Sequence, residues 1–161
     1  MKRFALFLLT LPVLLGGCNV NSVDEEELQR EREDQLIRDY LEANDLEAER
    51  TPEGIYYRSI EPGQAGRSPI SGNTVTVHYE GFLMLDGKRF DSSRLRGETF
   101  EFQVGSPSVI QGWSIALPLM ELGELAEFYI PSHLAYGAAG SGSTIPPSAI
   151  LVFEIELLGI N

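Results

Sequence analysis

The residues best suited to chemistry in this chain are aromatic rings and a carboxylate that occur in four short motifs. The motifs occupy residues 75–81, 87–93, 109–113 and 134–137. They carry Tyr79, Asp91, a Gly-Trp pair ending at Trp113, and Tyr136. Short strands and loops that bring these side chains together would form a small apolar pocket with a carboxylate at its edge. Such a pocket has the shape and polarity needed to hold a proline ring.

The order and spacing of the motifs closely resemble those of the FKBP-type peptidyl-prolyl cis-trans isomerases. The resemblance covers roughly residues 54–161 and leaves the first third of the chain outside it. It implies an isomerase that accelerates X-Pro isomerisation during the folding of exported proteins. The implied fold is α+β, a twisted antiparallel β-sheet wrapped around one short α-helix. The implied partners are proline-containing polypeptides and macrolide inhibitors such as rapamycin.

Isomerisation of an X-Pro amide breaks no covalent bond, but rotation about the C–N bond must overcome about 18–20 kcal/mol. The planar amide is more charge-separated than the twisted one, so a pocket that excludes water destabilises the planar form more. Groups that fix the ring and the carbonyl supply orientation. This chemistry needs no nucleophile, metal or cofactor. The only histidines, His78 and His133, are expected at strand or surface positions rather than in acid–base roles.

The resemblance also assigns roles to individual pocket residues. Asp91, Tyr136 and Tyr79 correspond to the catalytic set, in which the Asp91 carboxylate acts electrostatically beside the twisting amide. The substrate-binding set comprises Tyr79, Phe90, Asp91, Arg96, Phe100, Val109, Ile110, Trp113, Tyr136, Ile145 and Phe153.

Three of these residues have distinct places in the implied pocket. Trp113 corresponds to its floor, the Ile110 N–H to a donor for the ligand carbonyl, and Ile145 to a loop residue that closes over the substrate.

Aromatic residues at alternating strand positions are usually core residues. We expect Phe102 and Phe128 to be core residues and no more. The specificity of the pattern therefore lies in the whole set rather than in any single residue.

Hydrophobic periodicity indicates the elements that must hold these residues. Strands are predicted at 55–60, 74–83, 89–91, 100–104, 125–130 and 149–158, with loops at 92–99 and 138–147. In the second strand, alternation puts Val75, Val77 and Tyr79 on one face. The stretch 112–120 is the one helix expected inside the domain, and Pro118 should shorten or kink it.

The first 17 residues have the pattern of a signal peptide. Lys2 and Arg3 precede an apolar run, 4–15, that is too short to span a bilayer. Small residues directly before Cys18, the only cysteine, resemble a bacterial lipobox, in which Cys18 carries the lipid. The alternative is an ordinary secretory signal with an incidental cysteine. We therefore expect a lipoprotein form of the isomerase in a bacterial cell envelope, anchored through Cys18 to the outer membrane and facing the periplasm.

Residues 18–53 are predicted to form the lipid-anchored tether and an acidic helix in front of the domain. Charged residues dominate between 24 and 46, where neither proline nor glycine occurs. The apolar stripe that includes Leu28, Ile37 and Leu41 is thin, so we expect a solvated helical spacer and a monomer. The alternative is that the helix within 24–46 forms a dimer.

Charge and composition narrow the choice of partners. The chain has 24 Asp and Glu against 12 Lys and Arg residues, which gives a net charge of −12. Such a surface repels phosphates, so nucleic acid is excluded as a partner. Two alternatives to catalysis stay open at this point: a module that only binds proline-containing segments, and a structural lipoprotein that keeps the fold. Ser141 and Thr144 depart from bulkier residues in some members, which affects the preferred client sequence more than activity.

Overall fold

The computed structural model of the chain describes residues 21–161 as a helix followed by a β-sheet domain. The first helix, α1, spans Asn21–Ala43. The strands are β1 Glu49–Arg50, β2 Tyr56–Glu61, β3 Thr74–Leu83, β4 Arg89–Ser92, β5 Phe100–Gln103, β6 Leu125–Ile130 and β7 Leu151–Ile160. Two short helices, α2 Ser93–Arg96 and α3 Gln111–Ala116, lie between strands. The predicted signal peptide 1–17 and Cys18 lie outside the described residues.

All strand pairs in the sheet are antiparallel. The strand order is β1-β2-β6-β7-β3-β4, and β5 pairs with β3 beside this path. Burial alternates residue by residue along β3, so Val75, Val77 and Tyr79 face the core, as predicted. The α+β prediction, an antiparallel sheet around a short helix, is confirmed.

The core lies between the sheet and α3. Trp113 and Ala116 of α3, Leu117, and the predicted core residues Phe102 and Phe128 are buried there. The helix predicted at 112–120 is shorter than expected. It ends at Ala116 and continues as one 3-10 turn, Leu117–Leu119. Proline at position 118 has no N–H to donate to the preceding turn, which accounts for the early end.

Two segments contain more regular structure than the sequence indicated. The predicted loop at 92–99 contains α2, which is capped by the Ser92 hydroxyl at the Leu95 N–H, 3.2 Å away, and ends at Gly97 with φ 71°. Only a residue that tolerates positive φ closes such a short helix without strain. The two-residue strand β1, within the predicted tether, pairs with β2 at the edge of the sheet.

The acidic helix is confirmed, but its prediction as a solvated spacer is wrong. Ile37 and Leu41 of α1 are buried in a second apolar cluster with Tyr56, Tyr129 and Val152 of the sheet. Residues four apart on a helix share one face, so even a thin stripe can dock against a sheet. None of the helices within residues 21–161 is long and apolar enough to cross a membrane.

Candidate functional site

A cavity of about 460 Å³ opens above α3, between β3, β4, β5, β7 and the turns that precede α3 and follow β6. Nine predicted site residues line it: Tyr79, Phe90, Asp91, Phe100, Val109, Ile110, Trp113, Tyr136 and Phe153. Sequence reasoning did not identify four further lining residues, Pro107, Ser108, Gln111 and Ala135. Two of these, Gln111 and Ala135, lie inside the motifs next to predicted residues. Proximity to the motif residues is therefore a signal in the sequence that indicates Gln111 and Ala135.

The indole of Trp113 forms the base of this cavity, and the side chain is only 4% exposed. Three rings meet it edge to face: Tyr79 at 5.0 Å and 83°, Phe153 at 5.2 Å and 84°, and Phe100 at 5.9 Å and 72° between centroids. Edge-to-face contacts favour one orientation of each ring. The floor and walls are therefore fixed before any ligand binds.

Two glycines allow this close packing. A Cβ atom on Gly81 would lie 2.6 Å from Phe90 Cζ and 2.9 Å from Phe153 Cε1, closer than side chains can approach. A Cβ atom on Gly112 would lie 2.6 Å from Ile130 Cγ2. Gly81 therefore lets the two phenyl rings meet at 5.6 Å, and Gly112 lets the start of α3 approach β6.

The carboxylate of Asp91 is held at the edge of the cavity by three donors. The Tyr79 hydroxyl donates to Oδ2 at 2.5 Å, and the Ser92 N–H donates to Oδ1 at 2.8 Å. The guanidinium of Arg96 donates to Asp91 and, at 3.0 Å, to the Tyr79 hydroxyl oxygen. Burial alone would raise the pKa of Asp91, but these hydrogen bonds outweigh burial and lower it below its usual 3.8. The carboxylate is therefore ionised at neutral pH.

The positions of these groups follow from the register between β3 and β4. Gly81 pairs with Asp91, and a bulge follows directly at Phe82. The Ser93 hydroxyl at the start of α2 accepts from the Tyr79 N–H at 2.8 Å, which ties the helix to β3. This short helix brings Arg96 back to Asp91. Arg96 itself does not line the cavity, so it acts on the site through Asp91 and Tyr79.

The predicted donors, Tyr136 and Ile110, lie near the opening of the cavity. Tyr136 is 39% exposed. Burial and then the negative charge of Asp91 raise the pKa of its hydroxyl, so the group keeps its proton at neutral pH. The hydrogen bonds formed within residues 21–161 leave the Ile110 N–H without an acceptor. Both groups are therefore available to donate to a ligand.

Ile145 does not line the cavity. Its side chain is buried in the main core, and its backbone pairs with Ser141 at 2.8 and 3.1 Å across a tight loop. The role predicted for Ile145, closing over the substrate, therefore stays a prediction. Of the two histidines, His78 contacts the Ser93 hydroxyl at 3.1 Å on β3, and His133 lies in a turn beside α1. Neither lines the cavity.

The chain is similar to known proteins in both sequence and structure. The profile of a family described as FKBP-type peptidyl-prolyl cis-trans isomerase matches residues 66–158. FK506-binding protein 1 of Yarrowia lipolytica is 44% identical over 108 residues, 67% of this chain and 99% of that protein. FK506-binding protein 1 of Saccharomyces cerevisiae is 43% identical over 102 residues, 63% and 89% of the two chains. FkpA from Escherichia coli, known as a crystal structure, is 35% identical with a TM-score of 0.68. That similarity covers 87% of this chain and 61% of FkpA.

The curated relatives correct one prediction made from the sequence. The segment that ends at Cys18 predicts a protein that is lipid-anchored at the outer membrane of a bacterial cell envelope. The relatives that match with 41–45% identity over 102 to 108 residues are FK506-binding proteins 1 of yeasts, including Yarrowia lipolytica and Saccharomyces cerevisiae. This similarity contradicts the predicted location at a bacterial outer membrane, because these relatives are proteins of eukaryotic organisms.

Proposed function

Because the chain belongs to the FKBP-type peptidyl-prolyl cis-trans isomerases, we propose that X-Pro bonds of client polypeptides isomerise in the aromatic cavity above Trp113. The proline ring lies on the indole, between the rings of Tyr79, Phe90 and Phe153. The walls exclude water from the amide, and the fixed rings hold the pyrrolidine while the preceding residue rotates. The reaction forms no covalent intermediate.

Electrostatics around the rotating amide supply the rest of the proposed mechanism. When the amide twists, the nitrogen lone pair no longer conjugates with the carbonyl, and charge separation decreases. An apolar cavity favours this less polar state over the planar one. We assign the Ile110 N–H and the Tyr136 hydroxyl to hold client carbonyl oxygens. The ionised Asp91 orients the carbonyl dipole and stabilises the partial positive charge on the carbonyl carbon of the twisted amide.

One observation carries this assignment: an ionised carboxylate stands at the edge of an apolar cavity with three donors that fix its position. Tyr79, Arg96 and the Ser92 N–H all donate to Asp91. The arrangement supports a role for a fixed negative charge beside the substrate, because preorganised charges stabilise a transition state without having to reorganise.

We also propose that the cavity binds macrolides. The curated relatives carry the name FK506-binding protein 1, and the nine predicted residues that line the cavity include its aromatic floor and walls. FK506 or rapamycin would occupy the space of the proline ring and accept a hydrogen bond from the Ile110 N–H. Inhibition of isomerisation should therefore be competitive with an X-Pro peptide.

We also propose that the chain accelerates protein folding steps that are limited by X-Pro isomerisation. Uncatalysed X-Pro isomerisation takes tens to hundreds of seconds at 25 °C and can limit refolding. The test is the refolding of a denatured protein whose native state contains a cis X-Pro bond, with and without this chain. We expect the slow phase to accelerate in proportion to enzyme concentration and the acceleration to vanish with rapamycin. If the slow phase is unchanged although the chain still binds rapamycin, the chain is a binding module without useful turnover.

We further propose that the chain is cleaved before Cys18 and that Cys18 carries an acyl chain. Intact-mass spectrometry of the protein from its native source can test this modification.

We propose that the clients are exported proteins. We also propose a monomer, since Ile37 and Leu41, the buried residues of the α1 stripe, pack against the chain's own sheet rather than being free to pair.

A further inference from the structure

A second cleft, of about 470 Å³, lies between α1 and the turn that follows β6. We call it the junction cleft. Arg30 and Asp34 of α1 line one side, and Pro131, His133 and Leu134 of the turn line the other. Its volume is within the range of clefts that hold small ligands or short peptide segments.

The junction cleft and the cavity above Trp113, which we call the proline cavity, have a shared or adjacent lining residue at two places in the chain. Gln111, the first residue of α3, lines both. Along the turn after β6, Leu134 lines the junction cleft, while the next two residues, Ala135 and Tyr136, line the proline cavity. A polypeptide bound with its proline above Trp113 must continue beyond the cavity on both sides of the ring. The cleft that shares Gln111 offers a path for one of these extensions.

The walls of the junction cleft are held firmly. The buried carboxylate of Glu33 accepts from the Ser132 N–H at 2.7 Å and from the Ser132 hydroxyl at 2.6 Å, which fixes α1 on the turn. Asp34 accepts from Arg50 at 2.7 Å and from the Tyr56 hydroxyl at 2.9 Å, which fixes α1 on the sheet. The cleft is therefore a preformed feature of the fold, which lowers the entropy lost on binding.

The lining of the junction cleft is balanced in charge, with two arginines, Arg30 and Arg50, and two carboxylates, Asp34 and Glu53. The chain as a whole, in contrast, carries a net charge of −12. Asp34 is already neutralised by ion pairs with Arg38 and Arg50. Arg30 forms no ion pair with any residue of the described part. Glu53 is the other carboxylate in the lining. Arg30 is therefore an exposed cation whose donors are available to an incoming group.

We propose that the junction cleft is a second client subsite, which binds the polypeptide a few residues away from proline, and that Arg30 selects an acidic side chain there. The inference rests on the proposed isomerase function and adds to it a specificity determinant outside the proline cavity. The ligand is a segment of the same client chain, because the cleft shares Gln111 with the cavity where that chain is already bound.

The experiment compares X-Pro peptides with the full chain. One is a four-residue reference peptide, and the others extend it by up to four residues on either side, with Glu or Lys at each added position. We expect Glu to be preferred over Lys by about two- to fivefold in kcat/KM at one added position, the range of an exposed ion pair. Arg30→Ala should remove this preference and Arg30→Glu should reverse it. Arg32→Ala, an exposed arginine of the same helix outside the cleft lining, should keep it.

Two outcomes would overturn the inference. One is a charge preference that is unaltered in Arg30→Ala and Arg30→Glu, and the other is the absence of any charge preference along either extension. Failure of the proposed function itself gives a different result, because the reference peptide, which is too short to enter the cleft, would then not be isomerised by the unmodified chain.

Discussion

The carboxylate of Glu33 binds both donors of Ser132, the backbone N–H at 2.7 Å and the hydroxyl at 2.6 Å, although the two residues are 99 positions apart. Glu33 is 1% exposed and also accepts from the Gln29 side chain at 2.8 Å. The turn that begins at Ser132 leads directly to Ala135 and Tyr136 of the proline cavity. The N-terminal helix is therefore attached to a segment that forms the site.

Glu33→Gln should destabilise the fold measurably. The amide NH2 group of glutamine replaces one acceptor oxygen, so one donor of Ser132 loses its partner in a buried position. An unsatisfied buried polar group costs about 1–3 kcal/mol. We expect a loss of this size in the free energy of unfolding, measured by urea denaturation. Glu31→Gln, an exposed position on the same helix, is the control, and equal loss in both variants would contradict the role of the Glu33 contact.

Asp91→Asn should lower kcat/KM for an X-Pro peptide more than it lowers affinity for rapamycin. The substitution removes the charge and leaves one acceptor oxygen for the three donors of Asp91. We expect about a tenfold loss of kcat/KM, below the about 10²–10³ measured for buried oxyanion-hole donors, because Asp91 is partly exposed. Asp86→Asn, an exposed carboxylate in the β3–β4 hairpin, serves as the control. An unchanged rate in Asp91→Asn would show that this charge has no catalytic role.

Trp113→Ala should damage catalysis, macrolide binding and stability together. The indole is buried beneath three aromatic rings, and replacing a buried large aromatic residue by alanine costs about 3–5 kcal/mol. Trp113→Phe keeps an aromatic floor and should retain part of all three properties. The measurements are urea denaturation, rapamycin titration and peptide isomerisation on both variants. Intact rapamycin affinity in a folded Trp113→Ala variant would exclude the indole as the floor of the binding site.

Glu154 should make stability depend on pH between its usual pKa of 4.5 and its higher pKa in the folded state. In the sheet, Glu154 on β7 pairs with Glu80 on β3 and with Glu127 on β6. Burial and then the charge of Glu80 raise the pKa of Glu154 above its usual 4.5. A carboxyl group whose pKa is higher in the folded state binds more protons there, so stability increases as pH falls through the folded pKa.

Glu154→Gln should therefore stabilise the fold at pH 7 and give no such gain below pH 4.5, where the unfolded chain is also protonated at this group. Urea denaturation at a series of pH values measures the difference. Glu61→Gln, an exposed position at the end of β2, should show neither the gain nor the change with pH. A gain in Glu154→Gln that is the same at pH 4 and pH 7 would exclude the charge of Glu154 as its cause.

Much of the fold follows from patterns that act over a few residues. The alternation in β3 was predictable because side chains on a strand alternate between faces, so the placement of Tyr79 in the core followed from its neighbours. The cavity was predictable because its residues lie in ordered motifs. The lining residues Gln111 and Ala135 were missed although they belong to those motifs, since a motif does not say which of its members face the cavity.

The docking of α1 could not be predicted from local pattern. Glu33 is a charged residue on a mostly charged helix, which usually indicates exposure to solvent. It is buried because Ser132, 99 residues later, supplies two donors. The docking of Ile37 depends in the same way on Tyr56, Tyr129 and Val152, which lie on different strands. Contacts over such distances in sequence depend on the whole topology and leave no periodic signal.

The central claim is catalysis of X-Pro isomerisation in the cavity above Trp113. Its most direct test is a protease-coupled isomerisation assay on a short X-Pro peptide with the purified chain, with and without rapamycin. We predict a rate that increases linearly with enzyme concentration and returns to the uncatalysed rate when rapamycin saturates the site. A rate equal to the uncatalysed one at every enzyme concentration, or acceleration that saturating rapamycin leaves intact, would contradict the claim.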